Sequence, residues 1–118
     1  LGILAQLQGD YPEAEHRYRQ ALTINEQLGN RAGIATTYSA LGDFALERSQ
    51  LTDAVQLHIQ SLLLRAQMHV PEVSNNLHSL RRLREQMGQD HFLARVSELL
   101  AAEDTQQLES WLDSLTDE

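Results

Sequence analysis

The sequence predicts an all-α fold, an α-solenoid of antiparallel helical hairpins with about seven helices and a C-terminal capping helix. Three observations predict it. Apolar residues recur at three- and four-residue steps along most of the 118 residues, which is the helical period. Alternating runs rich in β-branched residues are absent, so no strand is expected. The landmarks also repeat at a spacing of about 40 residues, and periods of about 20–50 residues mark repeat arrays. Leu41-Gly42 repeats Leu1-Gly2, Ala54 repeats Ala14, His58 stands for Tyr18, and Ser61-Leu62 stands for Ala21-Leu22.

The elements follow in order. Residues Leu1 to about Gln8 read as the second half of a helix. Gly9-Asp10 is a turn, with Gly suited to the left-handed residue past a helix end and Asp10 suited to cap the next start. Pro12 in the first turn costs little, and Glu13 favours the positive helix end. The helix runs from about Tyr11 to Leu28, its apolar stripe being Tyr11, Ala14, Tyr18, Ala21, Leu22 and Leu28. Gly29-Asn30 closes it. The next helix, about Arg31 to Arg48, carries Ile34, Tyr38, Leu41, Ala45 and Leu46. Gly33 and Gly42 lie inside that helix, where each costs about 1 kcal/mol relative to Ala, so close approach of a neighbouring helix is expected there.

Ser49-Gln50 makes the next turn, with Ser49 or Thr52 the expected cap. A helix from about Leu51 to His69 places Leu51, Ala54, Val55, Ile59, Leu62, Leu63 and Ala66 on one side, with Leu57 and Leu64 off that stripe. Pro71-Glu72 opens a helix to about Met87, and Gly88-Gln89-Asp90 repeats the earlier turn. A helix from about His91 to Ala102 puts Ala94 in register with Ala14 and Ala54. Asp104 or Thr105 is expected to cap a last helix to about Leu115, with Leu108, Trp111, Leu112 and Leu115 on one face. Thr116-Asp117-Glu118 is a polar end. The chain divides into a repeat region, 1–103, and a capping helix with an acidic tail, 104–118. The repeat region comprises a partial first unit 1–29, a second unit 30–69 and a degenerate third 70–103. It has no initiator Met and begins inside a repeat, so a longer parent protein is expected.

Composition narrows the function. The formal net charge of -8 offers no basic face for phosphates, so nucleic acid is not the expected partner. There is no cysteine, which removes disulfides, thiolate metal sites and thiol nucleophiles. All nine basic residues are Arg, so lysine-dependent phosphate binding and Schiff-base chemistry are also absent. Arg-only usage fits a GC-rich genome. No apolar run approaches the ~20 residues of a membrane span, and no signal-peptide pattern opens the chain. A soluble cytoplasmic protein without cofactor or metal is expected.

The chemistry-bearing residues read as structural. His16, His58, His69, His78 and His91 form no metal-ligand pair, and His58 occupies a packing-aromatic position. Glu13 and Glu15 precede Arg17 and Arg19 at helix-face spacing. Ser39 and Ser79 lack a nucleophile-elbow setting. Arg81, Arg82 and Arg84 form the one basic concentration, with Arg65 and Arg95 nearby in sequence, and read as a solvated face rather than an acidic-peptide contact. Trp111 reads as a packing plug.

Leu-Gly in the first helix, Ala in the second, an aromatic four residues later and a small residue three beyond resemble the tetratricopeptide repeat (TPR). The positions are Leu1-Gly2, Ala14, Tyr18 and Ala21, then Leu41-Gly42, Ala54, His58 and Ser61. The common repeat has about 34 residues; this one is about six longer, which resembles the long subtype of Pins/LGN-type polarity scaffolds, kinesin light chains and bacterial multi-repeat proteins. The resemblance is good over about Leu1–Ala66. In the third unit Arg81-Arg82 stands where Leu-Gly should, as expected of a terminal repeat that turns a polar face outward.

The resemblance implies a non-catalytic protein-interaction module of a larger, bacterial protein. Its first helices would line a concave groove. Groove-facing positions would be Thr36, Ser39, Asp43 and Glu47, then Asn76, Ser79, Leu83 and Gln86, with Asn75 or Asn76 holding the main chain of an extended peptide. The chaperone-tail carboxylate clamp of some TPR domains needs Lys and Asn where Ser39 and Asp43 stand, so that activity is not implied; a groove holding Asp43 and Glu47 would repel an acidic tail and suit a basic or neutral segment. A sensory segment of a multidomain regulator or signalling ATPase is a second reading. Self-association through the exposed first repeat is a third.

Overall fold

The computed structural model describes Ile3 and residues 9–115. The Leu1-Gly2 landmarks, most of the expected opening helix and the polar end at 116–118 lie outside the described residues. Ile3 is helical and exposed. Among the described residues there are six helices and no strand. They are α1 (Tyr11–Leu28), α2 (Arg31–Glu47), α3 (Leu51–Met68), α4 (Val73–Met87), α5 (Gln89–Leu99) and α6 (Ala102–Ser114).

The first two turns form as the local chemistry dictates. Asp10 accepts a hydrogen bond from the Glu13 N–H and caps α1. Gly29 adopts the left-handed conformation that ends α1, and Asn30 caps α2 through the Gly33 N–H. Later boundaries differ. Gln50 precedes α3 without a side-chain cap bond, so neither Ser49 nor Thr52 caps it, and Ser49 instead takes a positive φ of 60°. Pro71-Glu72 forms a turn, and α4 starts at Val73. Helix α5 begins at Gln89, two residues before expectation, and ends at Leu99. Helix α6 begins at Ala102 with no side-chain cap; the Thr105 hydroxyl bonds the Ala101 carbonyl from inside the helix rather than capping it.

Helices adjacent in sequence are adjacent in space. Helix α1 packs on α2, α2 on α3 and α3 on α4; α5 then lies against both α3 and α4, and α6 against α4 and α5. Helix α2 also reaches α4, so the first helices of successive hairpins are neighbours. A smaller core joins Ala14, Tyr18, Leu41 and Phe44. A larger one joins Ala54, Val55, Ile59 and Leu62 to Leu80, Leu83, Phe92, Val96, Leu108 and Leu112. Leu57 packs against both, the packing role its off-stripe position predicts. No hairpin covers its own apolar face, and each buried Leu contributes about 1.5–3 kcal/mol only because the next layer excludes water from it.

Small residues sit where the layers touch. Ala14 and Ala54 are fully buried. A Cβ at Gly42 would stand 2.6 Å from His58 Cδ2, so the α2–α3 approach expected at this glycine is real. Gly33 serves a different neighbour: a Cβ there would meet the Asn25 and Asn30 side chains at the α1–α2 turn. The third unit departs from the repeat register. Ala94 is exposed, and Phe92 and Val96 take the buried places, because α5 rotates its larger apolar residues into the α3–α4 seam. Leu28 and Leu63, expected on buried stripes, are 73% and 46% exposed. Trp111 is 41% exposed, so the plug at the C-terminal end is Leu108 and Leu112, with Trp111 on the rim of an apolar cleft beside Val70, Val73, Leu77 and Leu115.

Candidate functional site

Helix α2 places the four expected positions on one stripe by three- and four-residue steps. Thr36, Asp43 and Glu47 are exposed and Ser39 is half-buried. On α4, Gln86 is exposed and Ser79 half-buried, whereas Leu83 is fully buried in the core. Asn76 corrects the expectation of a peptide-holding amide: it too is fully buried, and both ends of its amide are spent inside the protein. Asn75, its neighbour, is exposed.

What the stripe rests on is a chain of polar side chains between α2, α3 and α4. Arg65 Nη1 donates to Asn76 Oδ1 at 2.9 Å and to the Glu72 carbonyl at 3.3 Å. Asn76 Nδ2 lies 3.2 Å from His58 Nδ1. His58 Nε2 lies 3.0 Å from Asp43 Oδ1. His58 and Asn76 are completely buried and Arg65 nearly so, while the Asp43 side chain is 62% exposed.

The donor inventory orders the protons along this chain. A guanidinium only donates, so the Asn76 oxygen must face Arg65 and its NH₂ must face His58. Nδ1 of His58 is then an acceptor, which only the neutral ring supplies, and the ring proton sits on Nε2. Nε2 is the ring atom that lies against the Asp43 carboxylate. The oxygen at 3.0 Å stands off the N–H direction, so the two groups touch without a well-formed hydrogen bond, and among the described residues Nε2 has no hydrogen-bond partner.

The stripe carries negative charge. Burial raises the Tyr18 phenol above its ordinary pKa, and the nearby carboxylates of Glu47 and Asp43 raise it further. The basic concentration is used elsewhere. Arg84 bridges to Glu109 at 3.0 Å and Asp113 at 2.9 Å, and Arg81 donates to the Leu115 carbonyl at 2.7 Å, so these residues tie α6 to α4. Arg95 likewise reaches from α5 to Gln56 on α3 at 2.8 Å. The helix-face pair Arg17–Glu13 forms at 2.6 Å, while Glu15 faces Arg48 at 3.7 Å rather than Arg19. Arg48 itself lies over the Tyr11 and Phe44 rings. Among the described residues no group of three His, Asp or Glu side chains is placed to hold a metal ion, and no helix is long and apolar enough to cross a membrane.

The relay is not legible in the sequence because Arg65 reads as part of a solvated face, His58 as a packing residue, and Asp43 and Asn76 as groove-facing residues. The one available signal was the substitution of His58 at an aromatic position: a buried imidazole has two ring nitrogens to satisfy inside the core, where a phenyl ring has no polar atom and a phenol has one at its tip.

A family model for the tetratricopeptide repeat matches residues 1–67. No curated protein and no solved structure gave a significant match. The matched residues span α1, α2 and nearly all of α3, the part of the fold that holds Ala14, Gly42, Ala54 and the Asp43–His58 contact. Hairpins stacked in sequence order, small residues at their contacts and this match agree, and the chain belongs to the tetratricopeptide repeat family.

Proposed function

We propose that the chain is a non-catalytic module of a larger cytoplasmic protein that binds a peptide or partner helix across the first helices of its hairpins, α2 and α4. Repeats of this family are in general protein-interaction scaffolds. The observation that carries the finer reading is the stripe Thr36, Ser39, Asp43 and Glu47, polar, exposed or half-exposed, on an α2 that neighbours α4. Ser79 and Gln86 extend it on α4, and Asn75 replaces Asn76 as the accessible amide. Two carboxylates one turn apart favour a basic or neutral segment over an acidic one.

The test is a pull-down with Thr36→Arg/Ser39→Arg, which blocks the stripe without touching the buried relay. The reading expects partners of the wild-type chain to be lost. Unchanged binding removes this face from consideration.

A second reading rests on a different observation. Ile3, Ile24 and Leu28 are 61%, 55% and 73% exposed at the first-repeat end. Ile3 and Ile24 line one cleft, and exposed apolar residues of this size suit contact with a second copy. Sedimentation at several concentrations decides it: a mass that stays monomeric throughout refutes self-association.

A further inference from the structure

Resting on the reading that α2 presents the partner-facing surface, we propose that Asp43 is its cation anchor. It is a carboxylate positioned from beneath by the buried His58–Asn76–Arg65 relay to take an Arg or Lys side chain of the bound segment.

Four observations carry this. First, His58 Nε2 is a buried donor without a hydrogen-bond partner among the described residues, and it sits 3.0 Å from a carboxylate oxygen of the exposed stripe. A buried donor left unsatisfied is costly, because it has given up water and gained no acceptor. Among the described residues the Asp43 carboxylate is the charged acceptor that stands within reach of it. Second, the ring is neutral by the hydrogen-bond ordering, so its contact leaves the charge of Asp43 uncancelled. An Arg or Lys in the place of His58 would have neutralised it. Third, a carboxylate has about four acceptor sites. One oxygen lies against Nε2, and with 62% of the side chain exposed the rest of the group faces solvent. Fourth, Glu47 lies one helical turn further along the same stripe, also exposed, so an approaching cation meets a second negative charge.

The arrangement also fixes where the anchor stands. Gly42 lets the imidazole approach α2 closely one residue before Asp43. Asn76 holds the far side of the ring, and Arg65, secured by the Glu72 carbonyl, holds Asn76. An exposed Asp on a free helix face samples several rotamers. One leaning on a buried N–H is already partly ordered, and less entropy is lost when the ligand binds. In this account His58, Asn76 and Arg65 are positioning residues that never touch the ligand.

The experiment uses a displayed library of random 12-residue peptides selected in parallel against wild type, Asp43→Asn and Glu103→Gln. Glu103 lies exposed on α6, far from the stripe in the chain, and controls for the loss of one negative charge. Wild type and Glu103→Gln are expected to enrich Arg or Lys at one fixed position. Asp43→Asn should lose that preference while keeping the flanking consensus and its melting temperature. For a selected peptide, replacing the basic residue by citrulline should weaken binding to wild type about tenfold and to Asp43→Asn hardly at all. His58→Gln should show an intermediate citrulline penalty. Nitrogen-15 spectra of the wild-type ring should show an unprotonated Nδ1.

A basic preference that survives Asp43→Asn overturns the proposal, as does a consensus with no basic position; either leaves the α2–α4 groove standing. A protonated Nδ1 overturns the relay. Selection that enriches no peptide at all removes the groove reading and this inference with it.

Discussion

Gly42→Ala tests the packing logic of the hairpin at one atom. The added methyl would stand 2.6 Å from His58 Cδ2, 2.7 Å from Nε2 and 3.1 Å from Cγ. Ordinary contact begins near 3.4 Å, so an overlap of roughly 0.8 Å must be relieved. The ring has little freedom to retreat. It is completely buried, and Asn76 Nδ2 closes on its other edge at 3.2 Å. Moving it breaks that bond, which strands the Asn76 amide. Overpacking of this kind costs about 1–3 kcal/mol, and a stranded buried amide about 1–3 more. Against this, Gly→Ala inside a helix gains about 1 kcal/mol. The expected net is a destabilisation of about 1–5 kcal/mol, seen as a melting temperature lower by roughly 4 °C for each kcal/mol. Urea melts followed by circular dichroism give the number. The decisive measurement is the double mutant. In a His58→Ala background the obstacle is gone, and Gly42→Ala is expected to become neutral or stabilising by up to about 1 kcal/mol. An equal cost in both backgrounds, or a stabilised single mutant, would refute the steric argument.

Leu112→Ala is expected to cost about 2–5 kcal/mol because Leu112 is fully buried, and Trp111→Ala distinctly less because the indole is 41% exposed; thermal melts of the pair check the order. Arg84→Met should loosen α6, since it leaves Glu109 and Asp113 without their shared guanidinium, and faster amide hydrogen exchange confined to α6 and its contacts is the expected readout. Tyr18 sets an alkaline limit. Its folded pKa is raised, first by burial and then by Glu47 and Asp43, so above about pH 10 the unfolded chain gives up the phenol proton while the folded one keeps it. Stability is therefore expected to fall as pH rises from about 10, with no such contribution at neutral pH. Tyr18→Phe should reduce that slope, and a slope unchanged by the substitution would count against it.

Much of the architecture was legible in one dimension. The apolar period of α1, α2 and α3, the turn chemistry of Asp10, Gly29 and Asn30, and the repeat of Ala14 at Ala54 are consequences of residues within one helical turn of each other or one repeat apart. They specify hairpins that must stack, since none covers its own oily side. The C-terminal third was read less well. Ala94 lies where the degenerate unit no longer follows the period, and Trp111 lies in the capping helix beyond it; the rotation of α5 is set by its fit against α3 and α4, and that of α6 by its fit against α4 and α5.

The charged stripe on α2 was also legible, because Thr36, Ser39, Asp43 and Glu47 keep helical spacing. What lies beneath it was not. Asn76 and Asn75 are neighbours in sequence, and nothing local says which turns inward; the choice follows from Arg65 and His58, 11 and 18 residues away on another helix. Helix, turn and stack follow from short-range rules that a bare sequence carries. The proton order from Arg65 to Asp43 exists only once three helices have closed on each other and excluded water, because only then must every buried donor find its acceptor.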